Sequence, residues 1–345
     1  MKRHLAAFCM ALMAITGCEK GPEGSENNQE NGEGHKRTSY TNPISTQSLP
    51  DPTVIRGEDG RFWLYATEDI RNMPIMVSHN LIDWKQEGTV FRTGRPNDVA
   101  GEMVWAPDIT RQNGNYILYY SIAPGDGNQW NYGVGVAVAS APEGPWANKG
   151  KLFLGGEVGV KMSIDPFFFE DDGKKYIVWG SYFGLWAIEL DSNGLALKKD
   201  AKKVRLVGLD GYGVEAPMIH KRDGYYYFFS SEGGSGYDND YKIGVVRSEN
   251  FLGPYYNKKG GNATTGAPLT FIMKSNAEFR SPGHCSGIIT DDNGTDWILY
   301  HSYYGGPEGR RLMLDKITWG SDGWPIINDG NGPSSKSSEV PYFKD

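Results

Sequence analysis

Cysteine is scarce in this chain: Cys9, Cys18 and Cys285 are the only three among 345 residues. Two of them lie in an N-terminal leader, so a folded domain built from the rest retains Cys285 alone and has no intrachain disulfide. No C-x-x-C or H-E-x-x-H spacing occurs, which leaves zinc chemistry without support. Positive charge is not in excess either. Lys and Arg number 35 against 42 Asp and Glu, a formal charge of −7. That argues against nucleic acid and anionic lipid surfaces as partners. The apolar run Leu5–Ile15 is too short to span a bilayer.

That run has a different reading. Lys2 and Arg3 precede it, and Ile15-Thr16-Gly17-Cys18 ends it. The pattern resembles a bacterial lipobox, in which the cysteine receives lipid and becomes the mature N-terminus. Residues 1–18 are therefore expected to be a lipoprotein signal peptide. The lipid on Cys18 would be the only membrane attachment, holding the protein in the cell envelope at the periplasmic or outer surface. Residues 19–41 are Gly, Glu, Asn, Ser and Gln with almost no apolar side chains, and are expected to form a flexible tether.

Aromatic residues and glycine are abundant: aromatics make up 13% of the chain and glycines number 46. Strand-forming aromatics with many turn residues indicate an all-β protein. Five times, a short apolar run is followed by a glycine turn and an aromatic strand. The copies run from Asp51-Pro-Thr-Val-Ile to Gly60, from Trp105-Ala-Pro-Asp-Ile to Gly114, and from Asp165-Pro-Phe-Phe-Phe to Gly173. Two more run from Glu215-Ala-Pro-Met-Ile to Gly224 and from Gly283-His-Cys-Ser-Gly-Ile to Gly294. Further apolar segments and a polar edge follow each copy. Strand repeats at this spacing predict a five-bladed β-propeller over 42–330, with 331–345 as a C-terminal tail.

The first position of each copy holds Asp51, Trp105, Asp165, Glu215 and His284. In a propeller these positions converge on the axis. Carboxylates held close together and shielded from water split their pKa values, so that one stays ionised while another keeps its proton. Glycoside hydrolysis needs that division between base and acid.

The segments Leu-Pro-Asp51-Pro, Trp105-Ala-Pro-Asp108, Ile-Asp165-Pro, Val-Glu215-Ala-Pro and Pro-Gly-His284 resemble, in order, the signature segments of glycoside hydrolase family 43. The similarity covers about 45–330. The resemblance implies a five-bladed propeller carrying an inverting hydrolase of arabinans, arabinoxylans or xylans. It makes Asp51 the general base, Glu215 the general acid, and Asp165 the carboxylate that tunes and orients that acid. It makes His284 the central histidine, which holds calcium or its water shell in many members. Trp105 becomes a wall for the sugar, and Arg310, after the Gly-rich loop of the last repeat, a residue that reaches substrate. Ser163, Ser181 and Ser231 are further candidates for lining the sugar site. Inversion leaves room for water between base and acid, roughly 6.5–9.5 Å.

Each residue alone also has a plain structural reading. Asp-Pro opens turns, Glu215 could cap a solvated strand, and strand Tyr and Trp residues usually pack between sheets. Asp108, three places after Trp105, is read as structural. Ser163-Ile-Asp165-Pro-Phe, Gly180-Ser-Tyr-Phe-Gly-Leu-Trp and Ile317-Thr-Trp-Gly-Ser-Asp-Gly-Trp-Pro resemble the arabinanase branch. The expected reaction is hydrolysis of α-1,5-L-arabinan within the chain, by a monomer without an organic cofactor. The alternatives are an exo-acting α-L-arabinofuranosidase or β-xylosidase, or a non-catalytic surface sugar-binding lipoprotein.

Overall fold

The computed structural model describes residues 37–96 and 103–344. The signal segment and most of the expected tether lie outside the described residues. Apart from short helical turns, the described chain is β-structure throughout.

The strands form antiparallel sheets in chain order. The first runs Thr53–Arg56, Phe62–Tyr65, Pro74–Ser78, Lys85–Thr89, and the second Met103–Gln112, Asn115–Ala123, Gly133–Ala139, Ala147–Leu154. A seven-stranded sheet follows, from Phe167–Asp171 to Thr270–Met273. Its long middle strand, Val204–Arg222, changes partner along its length. Val204–Asp210 pairs with Ser181–Glu189, and Val214–Arg222 pairs with Tyr225–Glu232. The last large sheet is built on Phe279–Gly283, Asp296–Tyr304, Arg311–Trp319 and Pro325–Ile327.

Burial along the strands explains why the apolar pattern does not alternate. All of Phe62–Tyr65 is buried, as is Asn115–Ala123 after its first residue, whereas Lys85–Thr89 is largely exposed. Inner strands bury both faces because a neighbouring sheet lies against each, so they read as continuous apolar runs. Four of five buried clusters occupy the spaces between sheets. One joins Tyr65 and Ile75 to Leu118 and Tyr120, and one joins Tyr119 and Phe153 to Trp179 and Ile188. Another lies inside the seven-stranded sheet, and a fourth joins Phe229 and Val245 to Ile298 and Met313. The fifth joins Leu299 and Leu314 of the last sheet to Phe62 and Leu64 of the first.

The domain boundaries extend beyond those read from composition. Tyr40–Thr41, placed in the tether, pairs with Lys336–Ser337, placed in the tail. Tyr40 packs edge-on against Trp297 and donates its hydroxyl to the Leu314 carbonyl at 2.8 Å. Asn42 is 1% exposed and donates to Leu314 and Ser334 carbonyls. Phe343 lies 4.5 Å from the Phe62 ring. Both segments belong to the folded unit because aromatic anchors bury them, a signal that average composition dilutes.

Candidate active site

Five residues share a left-handed backbone: Asp51, Ala106, Asp165, Ala216 and His284, with φ between 33° and 57°. Four of them precede proline, which normally pushes its predecessor to extended conformations. Such backbone persists only where the surroundings hold it, and it gathers at functional sites. This finding corrects the repeat alignment. Asp51, Asp165 and His284 occupy equivalent positions, but Ala106 and Ala216, not Trp105 and Glu215, are their counterparts. Trp105 and Glu215 stand one residue earlier, paired with Ser121 and Ser231 before each strand loses register.

One hydrogen bond recurs around these positions. Thr67, Ser121, Ser231 and His301 each lie seven residues after a turn glycine, the last three on the second strand of a repeat and Thr67 just past its end. Each accepts the main-chain N–H of the left-handed residue in the following repeat. The N–H of Ala106 reaches Thr67 Oγ1 at 2.6 Å, Asp165 reaches Ser121 Oγ at 2.8 Å, and His284 reaches Ser231 Oγ at 2.9 Å. The series returns to its start: the N–H of Asp51 reaches His301 Nδ1 at 3.1 Å.

The third repeat differs. Gly180 adds a residue, so the serine stands eight places after Gly173. At φ 136°, a Cβ on Gly180 would fall 2.3 Å from the Gly184 carbonyl oxygen, so only glycine fits. Ser181 instead donates to Glu215 Oε2 at 2.7 Å, and Asp165 Oδ2 accepts the Ala216 N–H at 3.2 Å. The deviation couples two of the three carboxylates to one short stretch of backbone.

Electrostatics separate the three acids. Burial opposes ionisation of Asp51, but the Arg310 guanidinium, with His284 and His301 beside it, holds its carboxyl well below the usual range. Arg310 Nη1 donates to Asp51 Oδ1 at 2.9 Å, and Thr67 Oγ1 donates to Oδ2 at 2.6 Å. His284 Nδ1 lies 3.4 Å from Oδ1. Burial lowers the pKa of both imidazoles, that of His301 to about 4. They face Asp51 neutral, so the counter-charge is that of Arg310. His301 Nδ1 lies 3.1 Å from the Asp51 main-chain nitrogen and 3.2 Å from Asp51 Oδ1, while its Nε2 is a buried atom without a hydrogen-bond partner. Glu215 and Asp165 move the other way. Burial raises Glu215, and the Asp51 charge adds to this. Hydrogen bonds from Ser181 and Tyr241, and Arg310 nearby, temper the rise. Asp165 is pushed well up by burial and then by the charges of Glu215 and Asp51. The cluster therefore favours an ionised Asp51 and a proton on the Glu215–Asp165 pair.

The remaining expected residues fall in several places. Trp105 is half-buried, its ring 6.1 Å from Tyr132. Ser181 is fully buried against Glu215. Ser163 does not line a sugar site: it is fully buried, donates to the Val160 carbonyl, and accepts from Trp179 Nε1. Arg310 spends its charge on Asp51. Asp108 links neighbouring sheets, accepting from Thr53 Oγ1 and the Phe168 N–H. Sequence reasoning missed Thr67, Ser121 and His301, which share with the candidate Ser231 one offset from the turn glycines. It also missed Tyr241, which stacks on His301 at 5.8 Å. Gly283 is obligatory there, since a Cβ would fall 2.0 Å from the Tyr241 ring.

Calcium does not fit these protein atoms as a cage. Among the described residues no group of three or more His, Cys, Asp or Glu side chains could hold a metal ion. His284 offers nitrogen to a cation that takes six to eight oxygens. No step below runs through a metal.

Paired acids of opposite protonation on an all-β scaffold define a carboxylate-based hydrolase of glycosidic bonds. The particular family follows from comparison: the model of glycosyl hydrolases family 43 matches residues 40–325, and the chain belongs to that family. It is 28% identical to the extracellular endo-α-(1→5)-L-arabinanase 1 of Bacillus subtilis strain 168, over 81% of this chain and 88% of that one. An exo-1,5-α-L-arabinanase from a bovine ruminal metagenomic library superposes with a TM-score of 0.70 at 26% identity, covering 81% of this chain and 97% of that one. The Cellvibrio cellulosa α-L-arabinanase complexed with arabinohexaose gives 0.73 at 24% identity, over 83% and 97%. That last likeness speaks to the fold.

Proposed function

We propose that this enzyme is an inverting hydrolase that cuts α-1,5-linked L-arabinan within the chain, on a five-bladed β-propeller. The four intersheet clusters and the fifth inside the seven-stranded sheet support the blade count, as does the hydrogen-bond series that ends where it began. In this reading the seven-stranded sheet is two blades sharing the strand Val204–Arg222. The observation that carries the chemistry is the split among the acids, with Asp51 held low and Glu215 raised.

Asp51, ionised, takes a proton from a water on one face of the arabinofuranosyl ring. The water oxygen forms a bond to C1 as the bond to the leaving oxygen breaks. Glu215 gives its proton to that oxygen, and the configuration at C1 inverts. Asp165 accepts the Ala216 N–H and so fixes the backbone next to Glu215, while burial and the Asp51 charge favour the proton on Glu215. The endo reading draws on the Bacillus subtilis relative. The exo alternative draws on the ruminal enzyme of similar identity.

Products from linear arabinan decide between them. A ladder of oligomers at early times supports internal cutting, and arabinose alone supports the exo reading. Binding without turnover would mark a sugar-binding protein. NMR of the first-formed anomer tests inversion. The extracellular relative also suits attachment through lipid on Cys18; Cys18→Ala would then move the protein from membrane to soluble fractions.

A further inference from the structure

A cavity of about 270 Å³ is formed by segments adjoining those that carry the acids. Its walls are Trp130, Phe183 and Trp186 with Lys161, Lys203 and Arg205. Phe183 follows Ser181 by two residues on the strand Ser181–Glu189. Lys161 precedes Asp165 by four residues. Trp130 belongs to the loop whose Tyr132 meets Trp105. The cavity thus takes part of its wall from segments that also hold residues of the acid cluster.

Its chemistry differs from what a neutral chain requires. Three cations line it against one carboxylate, Asp210, in a protein of net charge −7. Arg205 pairs with Asp210, and Lys203 Nζ donates to the Val158 carbonyl at 2.6 Å. Lys161 has no ion pair among the described residues. Its Nζ is held 5.3 Å from the Trp130 ring and 5.5 Å from Phe183. Cation–π attraction keeps an ammonium at the wall of such a cavity without neutralising it. Trp130 remains 43% exposed. An apolar ring face beside an uncompensated cation suits a pyranose ring that carries a carboxylate.

We propose that this cavity is an accessory subsite for a uronic acid residue joined to the neutral chain being cut. The inference rests on the proposed glycan hydrolysis for its substrate class. The ring of the uronic acid stacks on the Trp130–Phe183 wall, and its carboxylate pairs with Lys161, with Arg205 at the far side. A chain bearing an acidic unit is thereby positioned relative to Glu215, one end fixed by charge.

The test is titration calorimetry on the Glu215→Gln full chain with sodium methyl glucuronide and, as a matched neutral probe, methyl glucoside. The uronide should bind at least tenfold more tightly than the glucoside and weaken in 0.5 M NaCl. Lys161→Ala should remove that preference and Lys161→Arg should restore it, with unchanged melting temperatures showing that both fold. Equal binding of the two probes, or a preference that survives Lys161→Ala, overturns the subsite. Absence of arabinan hydrolysis by the unaltered enzyme would sink the proposed reaction instead, and calorimetry reads the subsite separately.

Discussion

Replacing Arg310 with methionine tests the electrostatic core of the site. The guanidinium is the formal positive charge on Asp51, at 2.9 Å, and both side chains are largely buried. Methionine keeps an apolar stem and removes the charge. Breaking one partner of a buried pair costs about 3–5 kcal/mol, because the other charge is left uncompensated. The Thr67 hydroxyl stays on Asp51, so the lower end, about 3 kcal/mol, is expected at pH 7. With a urea m-value of about 3 kcal/mol/M, the midpoint falls by about 1 M.

The pH dependence follows from the sign of the shift. In the native protein the folded pKa of Asp51 is depressed. Its pairing stabilises above the unfolded carboxyl value and is lost as pH falls through the folded one. In Arg310→Met burial acts unopposed by that cation, so Asp51 takes up a proton at higher pH. The acidic limb of kcat/KM then moves upward, and the stability gap to the parent narrows as pH drops towards 4. The assays are urea melts at several pH values and a pH–rate profile on linear arabinan. A gap that stays constant with pH, or an acidic limb that does not move, would refute the reasoning.

Three further outcomes are expected. Glu215→Gln should lower kcat on arabinan by about 10² to 10⁴, and by much less on 4-nitrophenyl arabinofuranoside, whose leaving group needs little protonation; equal losses on both would remove Glu215 as proton donor. Ser181→Ala deletes a hydrogen bond that lowers the Glu215 pKa, so the alkaline limb of kcat/KM should move to higher pH as kcat falls, whereas a purely structural serine would leave the limb in place. Asp108, raised to about 7 mainly by burial, binds a proton in the folded state that the unfolded chain releases near 4; stability therefore falls as pH rises between those values, and Asp108→Asn should flatten that slope in urea melts at pH 5 and 7.5.

Much of the site was legible because short motifs mark it. Asp51-Pro, Asp165-Pro and Glu215-Ala-Pro sit at the starts of strands whose turn glycines recur along the chain. The side chains that secure the acids were legible only in retrospect. The offset of seven from a turn glycine reaches Thr67, Ser121, Ser231 and His301 alike, yet serine and threonine late in a strand carry no signal by themselves. Tyr241 lies in a loop with no repeat register, and its bond to Glu215 and stack on His301 exist only because distant segments meet. Ser163 looked equivalent to Ser181 by its closeness to a key carboxylate, but its side chain turns to the Val160 carbonyl and the Trp179 indole.

The sequence by itself determined the strand content and the repeat and singled out Asp51, Asp165 and Glu215 as candidate acids, because residue type and local spacing encode those directly. Tertiary structure decided which acid is charged. Protonation depends on burial and on neighbours such as Arg310, which is 259 positions from Asp51 along the chain yet in contact with it. It also decided that Glu215 stands one step outside the left-handed series and receives Ser181. That follows from the extra residue Gly180 and from which sheet packs beside which, and no local pattern records either consequence.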